Sequence, residues 1–114
     1  MANGMRIVAE QLRLIPFGDF AVGFVPVGFV FTHPIRILSM KNTTNVSVLV
    51  SYDGETIQEY LPASSGIVFD FTANSSPDGR YPFIPAGTTV YVGYDTVAPT
   101  SGVVAVSAYY CAGD

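Results

Sequence analysis

Between Ile35 and Thr72 the chain alternates short apolar runs with turn chemistry, a rhythm that suits antiparallel sheet and little else. Ile35–Met40 ends at Lys41-Asn42-Thr43-Thr44-Asn45, and Val46–Tyr52 ends at Asp53-Gly54. The third run, Glu55–Leu61, ends at Pro62-Ala63-Ser64-Ser65-Gly66, which leads into Ile67–Thr72. Asp-Gly between β-formers predicts a tight type I′ hairpin, because both central residues of that turn need positive φ. Val46, Val48, Val50 and Tyr52 share one face at period 2, with Ser47 and Ser51 on the other. The expectation is a sheet with one buried and one wetter face.

The flanking segments fit the same scheme. Residues 1–4 read as a flexible lead. Met5–Ile15 is expected as strand, with a short helical turn as the alternative, since Ala9-Glu10-Gln11-Leu12 are good helix formers. Phe20–Thr32 reads as two short strands or one irregular strand: Gly23 and Gly28 mark kinks or close backbone approach, and Pro26 excludes an interior ladder position. His33-Pro34 forces an extended entry into the central stretch. A loop over Ala73–Arg80 is followed by an extended edge segment, Tyr81–Gly87, and a β-run, Thr88–Tyr94. Val103–Cys111 is nearly continuous apolar sequence, expected as a central strand buried on both sides. About eight strands in one domain spanning residues 1–114 predict an all-β antiparallel β-sandwich, jelly-roll-like in its connections.

Charge narrows the function classes. Only 12% of the 114 residues are charged and 49% are hydrophobic, so a lone domain would cover its surface thinly. That composition predicts partial burial against other subunits. Net charge is −4, and its distribution is uneven. Through Val50, Arg6, Arg13, Arg36 and Lys41 stand against Glu10 and Asp19; from Ser51 onward Arg80 stands against seven acidic residues. Nucleic-acid binding needs a basic footprint that this chain lacks. Phe20–Phe31 is too short and too interrupted by glycine and proline to span a bilayer, so no membrane partner is expected.

No residue set is poised for chemistry, and the chain is read as non-enzymatic with no cofactor and no metal. His33 is the only histidine and no Gly-x-Ser-x-Gly elbow exists. Cys111, the single cysteine, is expected as a small buried hydrophobe near a strand end. Glu55 and Glu59 would share a face if their run were regular strand, but no tryptophan is present to stack a sugar. The fifteen Phe and Tyr side chains are the remaining feature, more than a core of this size comfortably holds. Phe17, Phe20, Tyr81 and Phe83 flank turns and are the candidate interface anchors.

The run Ile35-Arg36-Ile37-Leu38, Asn42-Thr43-Thr44-Asn45, Val50-Ser51-Tyr52-Asp53-Gly54 resembles one found in small accessory virion proteins of tailed bacteriophages. The likeness continues through Leu61-Pro62-Ala63, Phe69-Asp70, Asn74, Pro85–Val92 and Pro99–Ser107, and is weaker before Ile35. It implies a short all-β structural protein of the virion: a head cement or decoration protein at the capsid surface, assembled in the host cytoplasm. The implied partners are the major capsid protein or other virion proteins, with a homo-oligomer, such as a trimer, as the self-assembled form. A neck or tail component is the alternative within that resemblance, and a receptor- or carbohydrate-binding β-sandwich the alternative outside it. No active-site residue carries over.

Overall fold

The computed structural model describes residues 5–71 and 84–113. The expected lead at residues 1–4, the loop over Ala73–Arg80, and Tyr81 and Phe83 therefore lie outside the described residues. Nine strands are described: β1 (Met5–Ala9), β2 (Arg13–Pro16), β3 (Val25–Pro26), β4 (Ile37–Asn42) and β5 (Val48–Ser51), then β6 (Glu59–Leu61), β7 (Ser65–Asp70), β8 (Tyr91–Tyr94) and β9 (Val103–Gly113). Among the described residues the one helical element is a 3-10 turn, Phe17–Asp19.

The strands form two antiparallel sheets, as expected of an all-β chain. One is five-stranded, with β1 and β2 both on β9, then β4, then β7. The other runs β3-β8-β5-β6. Alternation of side chains sorts each strand into a core row and an outer row. On β9, Val104, Val106 and Ala108 are buried, while Val103, Ala105, Ser107 and Tyr109 are half-buried. The strand is central, but only one of its faces is fully covered, so burial on both sides is corrected. Leu38 and Met40 of β4 complete that layer, and Val48, Val50, Leu61 and Val92 face it from the second sheet. Val27, Phe31 and Ile35, from the connecting segments, close the same core at 0–1% exposure.

Residues 5–16 are strand, with no helical turn, but the strand is interrupted. Ala9 sits opposite Tyr109 and Arg13 opposite Val106. Three residues, Glu10 to Leu12, therefore face two on β9, which is a β-bulge. The extra residue shifts the alternation by one. Val8, Arg13 and Ile15 consequently all lie in the core row, while Leu12 and Leu14 are about half exposed (52% and 51%).

Three further expectations are corrected. The Asp53-Gly54 hairpin joins β5 to β6, but through seven residues, Tyr52 to Gln58, not a two-residue turn. Asp53 collects four donors: Ser51 Oγ (2.8 Å), the Glu55 and Thr56 amides (2.9 Å each) and Thr56 Oγ1 (2.6 Å). That network holds a wide loop open, so Glu55 is not in strand and shares no strand face with Glu59. Phe20–Thr32 contributes only the two-residue β3, with Pro26 on the sheet edge where its missing N–H is harmless. Thr88–Tyr94 is ladder only from Tyr91, although Val27 and Phe31 donate to the carbonyls of Val90 and Thr88.

Candidate functional site

The side chain that organises the N-terminal flank is Arg13. The bulge turns it inward, where it is 2% exposed. A buried guanidinium is tolerated only when every donor is met, and here nearly all are. Nε donates to the Phe29 carbonyl (2.8 Å), Nη1 to that of Gln11 (3.0 Å), and Nη2 to that of Val30 (2.9 Å) and to Glu10 Oε1 (2.7 Å). Its plane is covered by Phe29 and Phe31, whose ring centroids lie 4.2 and 4.7 Å from Cζ. Gly28, at φ +70°, passes so close that a Cβ there would come within 2.9 Å of the Arg13 Cγ. Arg13 thus pins the 28–31 segment to the edge strand through two carbonyls, Phe29 and Val30, and the bulge through a third, Gln11, a rigid fork that lysine could not reproduce.

Glu10 is the counter-charge. Its side chain is 4% exposed and its second oxygen accepts from the Thr32 amide (3.2 Å), Thr32 Oγ1 (3.1 Å), the His33 amide (2.9 Å) and His33 Nδ1 (2.8 Å). An ionised carboxylate can only accept, so the His33 proton sits on Nδ1. Burial alone pushes the Glu10 carboxyl up, but the bonds from His33, Arg13 and Thr32, with the Arg13 charge, outweigh it and hold the group below its ordinary value. The His33 ring stacks on Tyr110, centroids 3.7 Å apart. Cys111, the next residue on the strand, lies in the opposite row and is half-buried, not buried as expected. No His33–Cys111 dyad is formed.

What this clamp displays is apolar. Of the eleven large hydrophobic side chains exposed among the described residues, six fall between Leu12 and Val30. From Gln11 to Thr32 the charged residues are Arg13, which is buried, and Asp19. Phe17, in the 3-10 turn, is 42% exposed, its amide fixed to the Gly102 carbonyl (3.0 Å). Phe20 is half-buried and packs on the core, so it serves the flank from beneath. Val22 stands 91% exposed at the tip, with Phe29 and Val30 at 48% and 45%. The flank is a hydrophobic surface on a rigid mount. Of the two sequence-predicted anchors among the described residues, Phe17 is presented there and Phe20 is not. Val22, Phe29 and Val30 were not singled out, although the scarcity of charge over residues 11–32 was a signal for them.

A second concavity, about 380 Å³, is lined by Tyr52, Glu59, Phe69, Phe71, Ile84 and Pro85. Phe69 and Phe71 stack in parallel at 6.3 Å. Burial, with the nearby Glu59 charge, pushes the Tyr52 hydroxyl up to about 12. The Asp53 carboxyl, held by Thr56, Glu55 and Ser51, lies far below the usual carboxylate range. These are the groups of a stabilised turn. Among the described residues no cluster of three or more His, Cys, Asp or Glu could hold a metal ion, and no helix is long and apolar enough to cross a membrane. No protein-family model and no curated protein matches the chain.

Proposed function

We propose that this chain is a non-enzymatic structural protein of a bacteriophage virion, a capsid cement or decoration protein that docks its N-terminal flank across neighbouring major-capsid subunits. The observation that carries the reading is the flank itself. Large apolar side chains are held out to solvent by a buried Arg13–Glu10 clamp, and exposed patches of that kind mark interaction surfaces. The strand pairing, which we read as a jelly roll, supports it further. β1/β2 with β9, β3 with β8, β4 with β7, and β5 with β6 are four antiparallel pairs nested one inside the next, the arrangement of a long hairpin rolled over itself. Jelly rolls recur in viral capsid domains, though the fold alone does not specify a role. The mechanism is binding linkage: a protein that attaches only to the assembled, expanded lattice stabilises it by its binding free energy.

The test is saturable co-sedimentation of the purified protein with expanded heads that lack it, together with the heat resistance of those heads. Phe17→Asp and Val22→Asp, each folded by circular dichroism, are expected to cut occupancy by about tenfold or more, the loss of an interface anchor. Location of the protein solely in the tail of purified particles would overturn the cement assignment.

A further inference from the structure

The outer face of the five-stranded sheet is a second apolar surface, which shares Leu14 with the N-terminal flank but not Phe17, Val22, Phe29 or Val30. Its rows follow from the strand register. One row reads Leu14, Ala105, Lys41, Gly66 across β2, β9, β4 and β7. The next is Ser107, Ser39, Val68, and the row beyond it reads Ala9, Tyr109, Ile37, Asp70. Leu14 and Val68 are 51% and 63% exposed. Lys41 and Asp70 are the only charges in these three rows, and they sit on opposite sides of the middle one.

We infer that this face binds a second copy of the chain through a two-fold axis lying in the face, perpendicular to the strands and over the Ser107–Ser39–Val68 row. Such an axis keeps each strand column over itself and exchanges the two outer rows. Tyr109, the largest side chain of the face, then falls over Ala105 of the second copy, and Leu14 over Ala9. In these two columns bulk meets a small residue, as close sheet stacking at about 10 Å requires, and in the β4 column the Lys41 stem falls over Ile37. Serines and Val68 occupy the axis, where identical groups must meet.

Charge is self-complementary under the same operation. The Lys41 stem leans over the neighbouring column: a Cβ on Gly66 would lie 3.4 Å from Lys41 Cγ. Within that column the axis exchanges Gly66 with Asp70. The Lys41 ammonium of each copy is therefore carried toward Asp70 of the other, giving two symmetric opposite-charge contacts beside the partner that Asp70 keeps within its own chain. A two-fold axis perpendicular to the face or along the strands would give no such match. With β9 eleven residues long and β4 and β7 six each, at ~4.8 Å between strands and ~3.3 Å per residue, the face offers roughly 500 Å² per copy. The pair buries on the order of 1,000 Å², the lower limit for a specific association. A two-fold contact closes on itself, so the product is a dimer and goes no further.

The experiment is sedimentation equilibrium of the full chain up to roughly 500 µM, a range that reaches weak affinities. It is run on the wild type, Lys41→Asp, Asp70→Lys, their combination, and Ala105→Arg, each checked for fold by circular dichroism. The wild type is expected to dimerise. Each single charge reversal should weaken the dimer by about tenfold, and the combination, which rebuilds both pairs with reversed sign, should recover most of that loss. Ala105→Arg, which blocks the Tyr109 site, should be monomeric. A wild type that stays monomeric, a trimer, or a dimer indifferent to Ala105→Arg and to charge reversal overturns the inference. So does protection of this face from hydrogen exchange only on heads, which would give it to a heterologous partner. The inference is independent of the head-binding reading, since Phe17 and Val22 lie outside this face and each surface can fail alone.

Discussion

Arg13 and Glu10 set the terms at the residue scale. Removing one partner of a buried ion pair leaves the other charged and unmet, which costs roughly 3–5 kcal/mol. Arg13→Met is therefore expected to lower the urea midpoint sharply, and Arg13→Lys to recover little, because three carbonyls lose a planar fork. The pair also makes stability depend on pH with a defined sign. Glu10 titrates below its ordinary value of 4.5 in the folded chain. Its contribution is thus complete above the unfolded value and is lost as pH falls through the lower, folded one. Denaturation series from pH 7 to 3 should show the gap between wild type and Glu10→Gln closing below about pH 4.5. Asp53, depressed as well, titrates in the same sense, so Glu10→Gln keeps part of the acid slope.

Among the elements, the bulge decides most. Deleting Gln11 would leave two residues facing two, and the alternation would run unbroken from β1 into β2. Leu12 and Leu14 would stay on the outer face and Arg13 and Ile15 opposite Val106 and Val104 in the core row, but Arg13 would lose the Gln11 carbonyl and the three-residue span across which it meets Glu10. The expected outcome is a lower denaturant midpoint with cooperative unfolding kept, whereas Gln11→Ala, which retains that carbonyl, should be nearly silent. Gly102, at φ +87°, is a second such point: any Cβ there would strike the Thr43 carbonyl, so alanine should cost more than an ordinary glycine replacement. These features also mark how far residue order could be read. β4, β7 and β9 were legible because period-2 alternation and β-branched residues mark them directly, and Pro26 correctly indicated an edge. The bulge was not, since an inserted residue leaves no trace in residue type; the leucines of residues 12–14, not the arginine, have the look of core. Asp53-Gly54 has the composition of a tight turn, and the local bonds from Ser51, Glu55 and Thr56 to its carboxylate, which residue type alone does not announce, widen it into a loop. The apolar flank was partly visible: Phe17 flanks a turn in the sequence, but Phe29 and Val30 are placed by the Arg13 clamp, which holds their carbonyls against the edge strand.

The whole molecule presents two apolar surfaces with different tasks, one pinned by a buried ion pair and one flat and self-complementary. If the flat face is a dimer interface, folding and association are linked, and stability becomes a function of protein concentration. Above the dissociation constant, each tenfold rise in concentration adds about 1.4 kcal/mol per dimer, or about 0.7 kcal/mol per chain. For a domain of this length that corresponds to a rise in melting temperature of roughly 3–5 °C. Scanning calorimetry from roughly 10 to 500 µM should show that drift in the wild type. Ala105→Arg, which cannot seat Tyr109 of a second copy, should melt at one temperature throughout. Phe17→Asp should drift as the wild type does, because the flank takes no part in that contact. A wild type whose melting temperature ignores concentration would leave the flat face without its partner, while the clamp, the bulge and the flank they support would stand unchanged.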